Sequence, residues 1–376
     1  MKNLILVLNS GSSSLKYSLF DNSDNLNLID KGHQERIGLP EGSEDYGTAI
    51  KNVLDDLVTT NKVDNLSDIK IIGHRVVHGG EEFRQPTILT PEIVKKLKIY
   101  SKLAPLHNPA NILGIETCMR LFPGATNVAV FDTAFYESIP AESYIYALPY
   151  ELYTQNKIRK YGFHGISHKY ISRLAKEKLG RTVQRLITCH LGAGSSITAL
   201  QNGKPIDTSM GFTPTDGLVM ESRSGSIDPT IPLYMISELG YKPEEVFDIL
   251  NHKSGYLGIC SLKDFREILA SKDELSKLTY KIFLNSVVKH IGSNIALLGG
   301  IDAIVFTAGI GEGSAKFRKD AMAHFGFIGA KIDDQRNQEG MNIISTDDSQ
   351  VKILMLPTDE ALEIAKETRM LVSENK

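Results

Sequence analysis

Short apolar runs, each followed by small polar residues, recur along this chain and predict buried strands. The first run, Leu4 to Leu8, is too short for a helix and suits a buried strand. It leads into a turn from Asn9 to Ser14, after which Leu15 to Phe20 predicts a second strand. Glycine and serine in such a turn expose N–H groups and hydroxyls that can bind phosphate, and Lys16 adds a positive charge. Taken alone, the segment could equally be an ordinary hairpin.

The same plan recurs about half a chain length later. The stretch from Leu186 to Leu200 again has an apolar strand, a turn of glycine and serine, and a second apolar strand. The matching positions are Asn9 with His190, Gly11 with Gly192, and Ser14 with Ser195. A match at this distance indicates a duplicated domain. Two such hairpins, one in each half, predict a nucleotide bound in the cleft between two domains.

Other segments complete an alternation of strands and helices that is typical of an α/β fold. Helices are expected after Thr90-Pro91, after the loop from Tyr161 to His168, from Ser276 to Leu298, and from Thr358, where Asp359 and Glu360 would lie in the first turn. Further strands are expected over Ile69 to Val77, Asn127 to Phe131, Asp302 to Thr307 and Lys352 to Leu356. The predicted domains are residues 1–136 with 362–376, and residues 137–361. The last helix would pack on the first domain.

Composition excludes several classes of function. The 376 residues are 41% hydrophobic and 23% charged, as in an ordinary globular protein long enough for two domains. A net charge of −3 gives no bulk attraction to nucleic acid or to an anionic membrane, so neither is expected as a partner. The three cysteines are far apart, which suits reduced thiols. No apolar run reaches the length of a signal-peptide core or a membrane span, so we expect a cytoplasmic protein.

Four residues are candidates for chemistry. Arg75, at a strand end, could anchor a carboxylate or form a structural salt bridge, and Asp132, at the mouth of a strand, could be catalytic or a helix N-cap. His164 could hydrogen-bond a transferring phosphoryl group or be structural. Arg223, in the irregular stretch from Thr208 to Pro229, could neutralise phosphoryl oxygens or be a solvated loop residue.

Three common motifs are excluded by single residues. His164 and His168 are four positions apart, but Gly165 stands where the zinc-protease motif needs glutamate. The turn from Gly309 to Gly313 follows a predicted strand. It lacks the Gly-Lys-Ser/Thr of the Walker A loop, and Ser314 stands in place of the third glycine of a dinucleotide fingerprint.

Eight ordered motifs together resemble the acetate kinase family, whose fold is shared with actin and hexokinase. They cover essentially the whole chain and begin at Asn9, Gly73, Ala104, Phe131, Tyr161, Thr208, Phe306 and Pro357. The resemblance implies duplicated ribonuclease-H-like α/β domains with a cleft between them. It also implies Mg²⁺-dependent, reversible phosphoryl transfer from ATP to acetate, giving acetyl phosphate and ADP. The resemblance implies that Mn²⁺ can substitute for Mg²⁺ and that the enzyme is a homodimer.

The resemblance also implies a role for each matching residue. Arg75 and Arg223 would bind carboxylate and phosphate, His164 would stabilise the transition state, and Asp132 would be the essential acid. The metal would be supported by Asn9 and Glu360. The methyl pocket would comprise Val77, Leu106, Phe163 and Pro214, with His107 beside it. ATP would be held by Lys16, by His190, Leu191, Gly192, Ala193 and Gly194, by Asp264, Phe265 and Arg266, and by Gly309, Ile310, Gly311, Glu312 and Gly313.

Two alternatives stay open on the sequence alone. A propionate or other short-chain carboxylate kinase would share these motifs, with the size of Val77 as the discriminator. A nucleotide-gated binding or assembly protein of the same fold would hydrolyse ATP slowly without responding to acetate.

The sequence departs from the family pattern at four positions. These are Ala193 for asparagine, Tyr136 for histidine, Glu221 for a small residue and Ser226 for aspartate. Glu221 could repel a nucleotide or pair with Arg223, so the choice of phosphoryl donor is open.

Overall fold

The chain divides into two compact units. The computed structural model describes residues 3–11, 14–38, 42–105, 107–180 and 183–375. One unit is Met1–Glu137 with Asp359–Lys376, and the other is Ser138–Thr358. The resemblance also implies that residues 1–136 with 362–376 form an N-terminal acetate-kinase domain and that residues 137–361 form a C-terminal nucleotide-binding domain; this stays a prediction.

The first unit contains a six-stranded sheet. In chain order its strands are β1 (Leu4–Ser10), β2 (Ser14–Asp21), β3 (Leu28–Glu35), β4 (Ile69–Val76), β5 (Thr87–Ile88) and β6 (Thr126–Phe131). Its helices are α1 (Tyr46–Thr59), α2 (Pro91–Ile99), α3 (Asn108–Leu121) and the C-terminal helix (Glu360–Glu374), with 3₁₀ turns at Leu66–Asp68 and Tyr100–Lys102. A further 3₁₀ segment, Ala134–Ser138, spans the end of this unit. The C-terminal helix packs on β1, β4 and β6.

The second unit contains a five-stranded sheet. Its strands are β7 (Arg185–Leu191), β8 (Ser195–Gln201), β9 (Lys204–Thr208), β10 (Ala303–Thr307) and β11 (Lys352–Met355). Its helices before the long helix are α4 (Ala141–Tyr144), α5 (Tyr150–Asn156), α6 (Gly165–Leu179), α7 (Thr230–Ser237), α8 (Pro243–His252), α9 (Gly255–Cys260) and α10 (Phe265–Ala270). They are followed by α11 (Glu274–Leu298), α12 (Ala308–Gly313), α13 (Ala315–Ala323), a 3₁₀ turn (Gly326–Ile328) and α14 (Asp334–Glu339).

Both sheets have the same strand order, which confirms the predicted duplication. The first runs β3-β2-β1-β4-β6 with β5 at its edge, and the second runs β9-β8-β7-β10-β11. In each, three consecutive antiparallel strands are continued by two parallel ones. This is the ribonuclease-H-like α/β order. The central strands β1 and β7 are almost wholly buried, because helices cover both faces of such sheets.

The two hairpins differ by one residue at the turn. Ser10 pairs with Leu15 in the first hairpin, whereas Leu191 pairs with Ser195 in the second. The second turn is therefore one residue shorter, and Ser195 corresponds to Leu15. The predicted match of Ser14 with Ser195 is wrong, because it assumed two turns of equal length.

Three element boundaries differ from the sequence prediction. The C-terminal helix begins at Glu360, because the carboxylate of Asp359 caps it by accepting a hydrogen bond from the N–H of Leu362 at 2.9 Å. The segment from Gly309 to Gly313, predicted as a turn, belongs to the short helix α12. His168, predicted in a loop, lies within α6.

Candidate active site

In the first unit, Arg75 gathers three oxygen-bearing side chains. It lies near the end of β4, and its Nε and Nη2 atoms donate to Oδ1 and Oδ2 of Asp132 at 3.2 and 2.5 Å. Nη1 donates to Oδ1 of Asn9 at 3.2 Å, and Oε2 of Glu360 lies 3.9 Å from Nε. The carboxyl ends of neighbouring parallel strands meet at one sheet edge, which is why residues far apart in sequence meet here.

Asp132 orients the guanidinium of Arg75. Its side chain is 1% exposed and holds the guanidinium through two parallel hydrogen bonds. Burial lowers the pKa of Arg75, but attraction to Asp132 and Glu360 outweighs it, so the pKa lies above its usual value. Among the described residues, these contacts use three of the five guanidinium N–H groups, which leaves one on each terminal nitrogen for an anion.

These residues fit a magnesium ion by their chemistry. Asn9, Asp132 and Glu360 offer amide and carboxylate oxygens, which Mg²⁺ prefers, and it commonly uses one or two carboxylates together with substrate phosphates. Within the described residues there is no group of three or more His, Cys, Asp or Glu side chains that could hold a metal by themselves. Such a site would therefore depend on phosphate oxygens from the substrate.

In the second unit, His164 and Arg223 converge on the turn of the second hairpin. His164 precedes α6 with a left-handed backbone (φ 57°), its ring stacks on His190 at 4.3 Å, and its Nδ1 lies 2.8 Å from Oγ of Ser196. A Cβ atom on Gly194 would lie 3.2 Å from Nε2 of His164 and 3.6 Å from Nη1 of Arg223. The side chains of His164 and Arg223 thus face the same point of the turn.

Arg223 is not a solvated loop residue. Its Nη1 donates to the backbone oxygen of Pro214 at 3.2 Å, and its own backbone oxygen accepts from the N–H of Met220. Burial lowers the pKa of Arg223, and the charge of Glu221 partly offsets this. The irregular segment from Thr208 to Pro229 therefore holds a cation beside the turn.

Polar residues that sequence reasoning missed support the histidines. Oγ of Ser196 lies 2.8 Å from both Nδ1 of His164 and Nε2 of His168, and Oγ of Ser167 lies 2.8 Å from Nδ1 of His190. His168 is fully buried, and burial followed by the charge of His190 holds its pKa well below the usual value. It is a neutral structural histidine. The sequence signal that could have revealed these supporting residues is the position of Ser167 and His168 at the start of helix α6.

A cavity of about 580 Å³ in the second unit joins three predicted ATP segments. Its walls include Gly192 and Ala193 of the turn, Asp264 to Arg266, and the segment from Gly309 to Ser314. Apolar walls come from Phe265, Leu269 and Ile310. The cavity has room for a nucleotide, and the glycine turn lies at its wall.

Glu312, predicted to bind ATP, holds its own segment together. Its Oε1 accepts from the N–H of Ala308 at 2.7 Å and from Oγ1 of Thr307 and the N–H of Thr358 at 3.2 Å each. These bonds fix Ala308 in a left-handed conformation (φ 64°). The carboxylate therefore shapes the cavity wall.

The remaining predicted residues divide between the two units. Val77, His107 and the exposed Lys16 belong to the first unit, and Phe163, Pro214 and Leu191 to the second. Val77, Phe163 and Leu191 are buried. Leu106 lies outside the described residues. The methyl pocket and the contact of Lys16 with ATP stay predictions.

The fold and these two clusters define the class: a phosphotransferase built from duplicated α/β domains, with an arginine available to a carboxylate. Residues 4–366 match the model of the acetokinase family, and the chain belongs to this family. The chain is 45% identical to the acetate kinase of Thermotoga maritima, with 98% of each chain covered. The predicted family and reaction class, phosphoryl transfer to a carboxyl group, are confirmed.

Solved structures agree with this assignment. A propionate kinase from Francisella tularensis shares 41% identity with a TM-score of 0.92, covering 98% of this chain and 99% of that chain. An acetate kinase from Porphyromonas gingivalis shares 36% identity with a TM-score of 0.91, covering 98% and 100%. No helix within the described residues is both long and apolar enough to span a membrane.

Proposed function

We propose that this protein transfers the γ-phosphoryl group of ATP directly to acetate, reversibly, forming acetyl phosphate and ADP. Acetate is ionised at neutral pH because its pKa is close to those of Asp and Glu side chains. Its oxygen can therefore attack phosphorus without a general base. Catalysis then consists of alignment and charge neutralisation, as expected for a loose phosphoryl-transfer transition state.

Each cluster has a defined task in this proposal. The two available N–H groups of Arg75 bind the acetate carboxylate, and Asp132 holds the guanidinium in place. Arg223 and Nε2 of His164 stabilise the negative charge on the transferring phosphoryl group beside Gly194. Asn9 and Glu360, with Asp132, would hold Mg²⁺ or Mn²⁺, which supplies further charge neutralisation.

The observation that carries this proposal is the convergence of His164 and Arg223 on the glycine turn. A cation and an imidazole nitrogen that can donate a hydrogen bond match the charge that develops on a phosphoryl group. An ATP-gated binding protein would not need this arrangement. It would also hydrolyse ATP without responding to acetate.

A hydroxamate assay for acetyl phosphate tests the function. The wild-type protein is mixed with ATP, Mg²⁺ and acetate, and we expect acetate-dependent formation of acyl phosphate and ADP in equal amounts. Addition of EDTA should abolish the product, and Mn²⁺ should restore it. ATP hydrolysis that is independent of acetate, with no hydroxamate formed, would support the binding-protein alternative.

Propionate is a second candidate acceptor. The similarity to a propionate kinase structure favours testing it, and Val77 is the residue predicted to limit the depth of the methyl pocket. One methylene group changes discrimination by only about 1–3 kcal/mol, so we expect use of both acids with a higher kcat/KM for acetate. Measurement of kcat/KM for acetate, propionate and butyrate decides the preference.

We also propose a cytoplasmic homodimer. Cys118, Cys189 and Cys260 are free thiols, as in proteins of a reducing compartment. Helix α7 has no buried residue and exposes Leu233 and Tyr234 by 64% and 58%, next to exposed Leu239. Such a contiguous apolar surface suits contact with a second copy of the chain.

A further inference from the structure

Glu221 faces the cavity that we assign to the nucleotide. It lines this cavity together with Ala193 of the turn, and its N–H donates to the backbone oxygen of Ala193 at 3.2 Å. Its backbone oxygen accepts from the N–H of Leu257 at 2.9 Å. Hydrogen bonds to Ala193 and Leu257 thus hold the backbone of Glu221 at the end of the cavity that we assign to the phosphates.

The carboxylate of Glu221 has no ion-pair or hydrogen-bond partner within the described residues. The nearby acid Asp264 differs, because it binds Arg266 at 2.6 Å. Lys263 lines the same cavity without pairing with Glu221. A partly buried carboxylate without a partner is costly, so a ligand with a hydrogen-bond donor would stabilise it.

Tyr256, which lines the same cavity, does not form a hydrogen bond with Glu221. Oη of Tyr256 is buried and makes no hydrogen bond within the described part of the chain. Burial, with the charge of Glu221 as a second cause, raises the pKa of Tyr256, so the phenol stays neutral. Glu221 can therefore accept a hydrogen bond from a ligand, and Lys263 offers the ligand a positive charge.

We propose that Glu221 selects a nucleotide as phosphoryl donor by accepting a hydrogen bond from a ribose hydroxyl group. Phosphate oxygens only accept hydrogen bonds and would be repelled by the carboxylate, whereas a hydroxyl donates. In a nucleotide, the ribose is directly bonded to the phosphates. Its hydroxyl groups are therefore the first neutral hydrogen-bond donors beyond phosphates that are bound at the glycine turn. The apolar residues Phe265, Leu269 and Ile310 suit the base.

This inference rests on the proposed function of the cavity, and its test compares donors that differ only in the hydroxyls. We measure KM for ATP and for 2′,3′-dideoxy-ATP with wild type and Glu221→Ala. The substitution should raise the KM for ATP by about tenfold, the effect of one charge-assisted hydrogen bond, and leave that for dideoxy-ATP within about twofold. Glu267→Ala, at an exposed glutamate of α10, is the matched control and should change neither value.

Two results would overturn the inference. A lower KM for ATP in Glu221→Ala would mean that the carboxylate faces and repels phosphate. An equal increase for both donors would mean that no hydroxyl is recognised. Calorimetric binding of ADP and 2′,3′-dideoxy-ADP repeats the comparison without turnover, so an inactive enzyme would contradict the proposed function and leave this test intact.

Discussion

At the scale of single residues, two arginines with different surroundings divide the proposed work. Arg75 is held by Asp132 and Asn9, so its direction is fixed before any ligand arrives. Arg223 is bound to a backbone oxygen, and the nearest acid, Glu221, points into the cavity. Its charge is therefore available to the phosphoryl group, and its removal should affect the chemical step most.

We expect Arg223→Ala to lower kcat by about 10²–10³-fold, the usual effect of losing one group that stabilises transition-state charge. The KM for ATP should change little, because Arg223 is not part of the 580 Å³ cavity. Arg223→Lys should recover part of the loss. The hydroxamate assay gives kcat, and unchanged turnover in Arg223→Ala would remove this residue from the site.

A buried histidine predicts loss of stability in acid. His74 is buried, bonds Oδ1 of Asn127 through Nε2 at 2.8 Å, and burial lowers its pKa from 6.5 to about 4. The unfolded chain therefore binds a proton that the folded chain excludes. The free energy of unfolding should fall as the pH drops from 6.5 towards 4, by up to about 1.4 kcal/mol per pH unit for this residue.

Urea unfolding at several pH values measures this slope. His74→Gln keeps a donor for Asn127 but cannot be protonated, so its free energy of unfolding should depend less on pH between 6.5 and 4. The same slope in both proteins would contradict the assignment to His74.

At the scale of elements, the turn of the second hairpin borders the proposed phosphoryl end of the site. Its turn is one residue shorter than that of the first hairpin, and Gly194 leaves the space that His164 and Arg223 face. We expect the site to require this space, because a side chain at this position would contact both His164 and Arg223.

Gly194→Ala should lower kcat by about tenfold or more, because the methyl group would crowd Nε2 of His164 and displace groups that require sub-ångström placement. The melting temperature should change by only a few degrees, since the turn is at the surface of the sheet. Gly292→Ala, where a Cβ meets nothing within 4 Å, is the control and should stabilise helix α11 by about 0.5–1 kcal/mol without loss of kcat. Normal kcat in Gly194→Ala would show that the space is not used.

At the scale of the whole molecule, the exposed apolar residues of α7 are the reason for proposing a homodimer. We expect the wild type to have the mass of a dimer in light scattering after size exclusion. Leu233→Glu combined with Leu239→Glu should shift it towards the monomer, because buried unpaired charges oppose association. Ile99→Glu, at an isolated residue of the first unit that is 67% exposed, should leave the mass unchanged. A monomeric wild type at micromolar concentration would contradict the proposal.

The sequence by itself determined the duplicated α/β fold and the family. Apolar runs of strand length, the repeated hairpin and the proline at the start of α2 are local signals, and local patterning is sufficient to specify elements. Of the proposed site, it singled out Arg75, Asp132, His164 and Arg223, whose catalytic roles stay predictions. Through the resemblance to the acetate kinase family, it also predicted the three segments that line the cavity.

Only the tertiary structure decided what those residues contact. The pairing of Arg75 with Asp132, the support of His164 by Ser196 and the use of Glu312 within its own segment join residues through strand register and helix packing, which local sequence does not encode. The extra residue in the turn of the first hairpin was also decided only by the tertiary structure, because composition alone does not fix the register of two strands. The orientation of Glu221 into the cavity likewise depends on backbone contacts with Ala193 and Leu257, which lie far apart in the chain and meet only on folding.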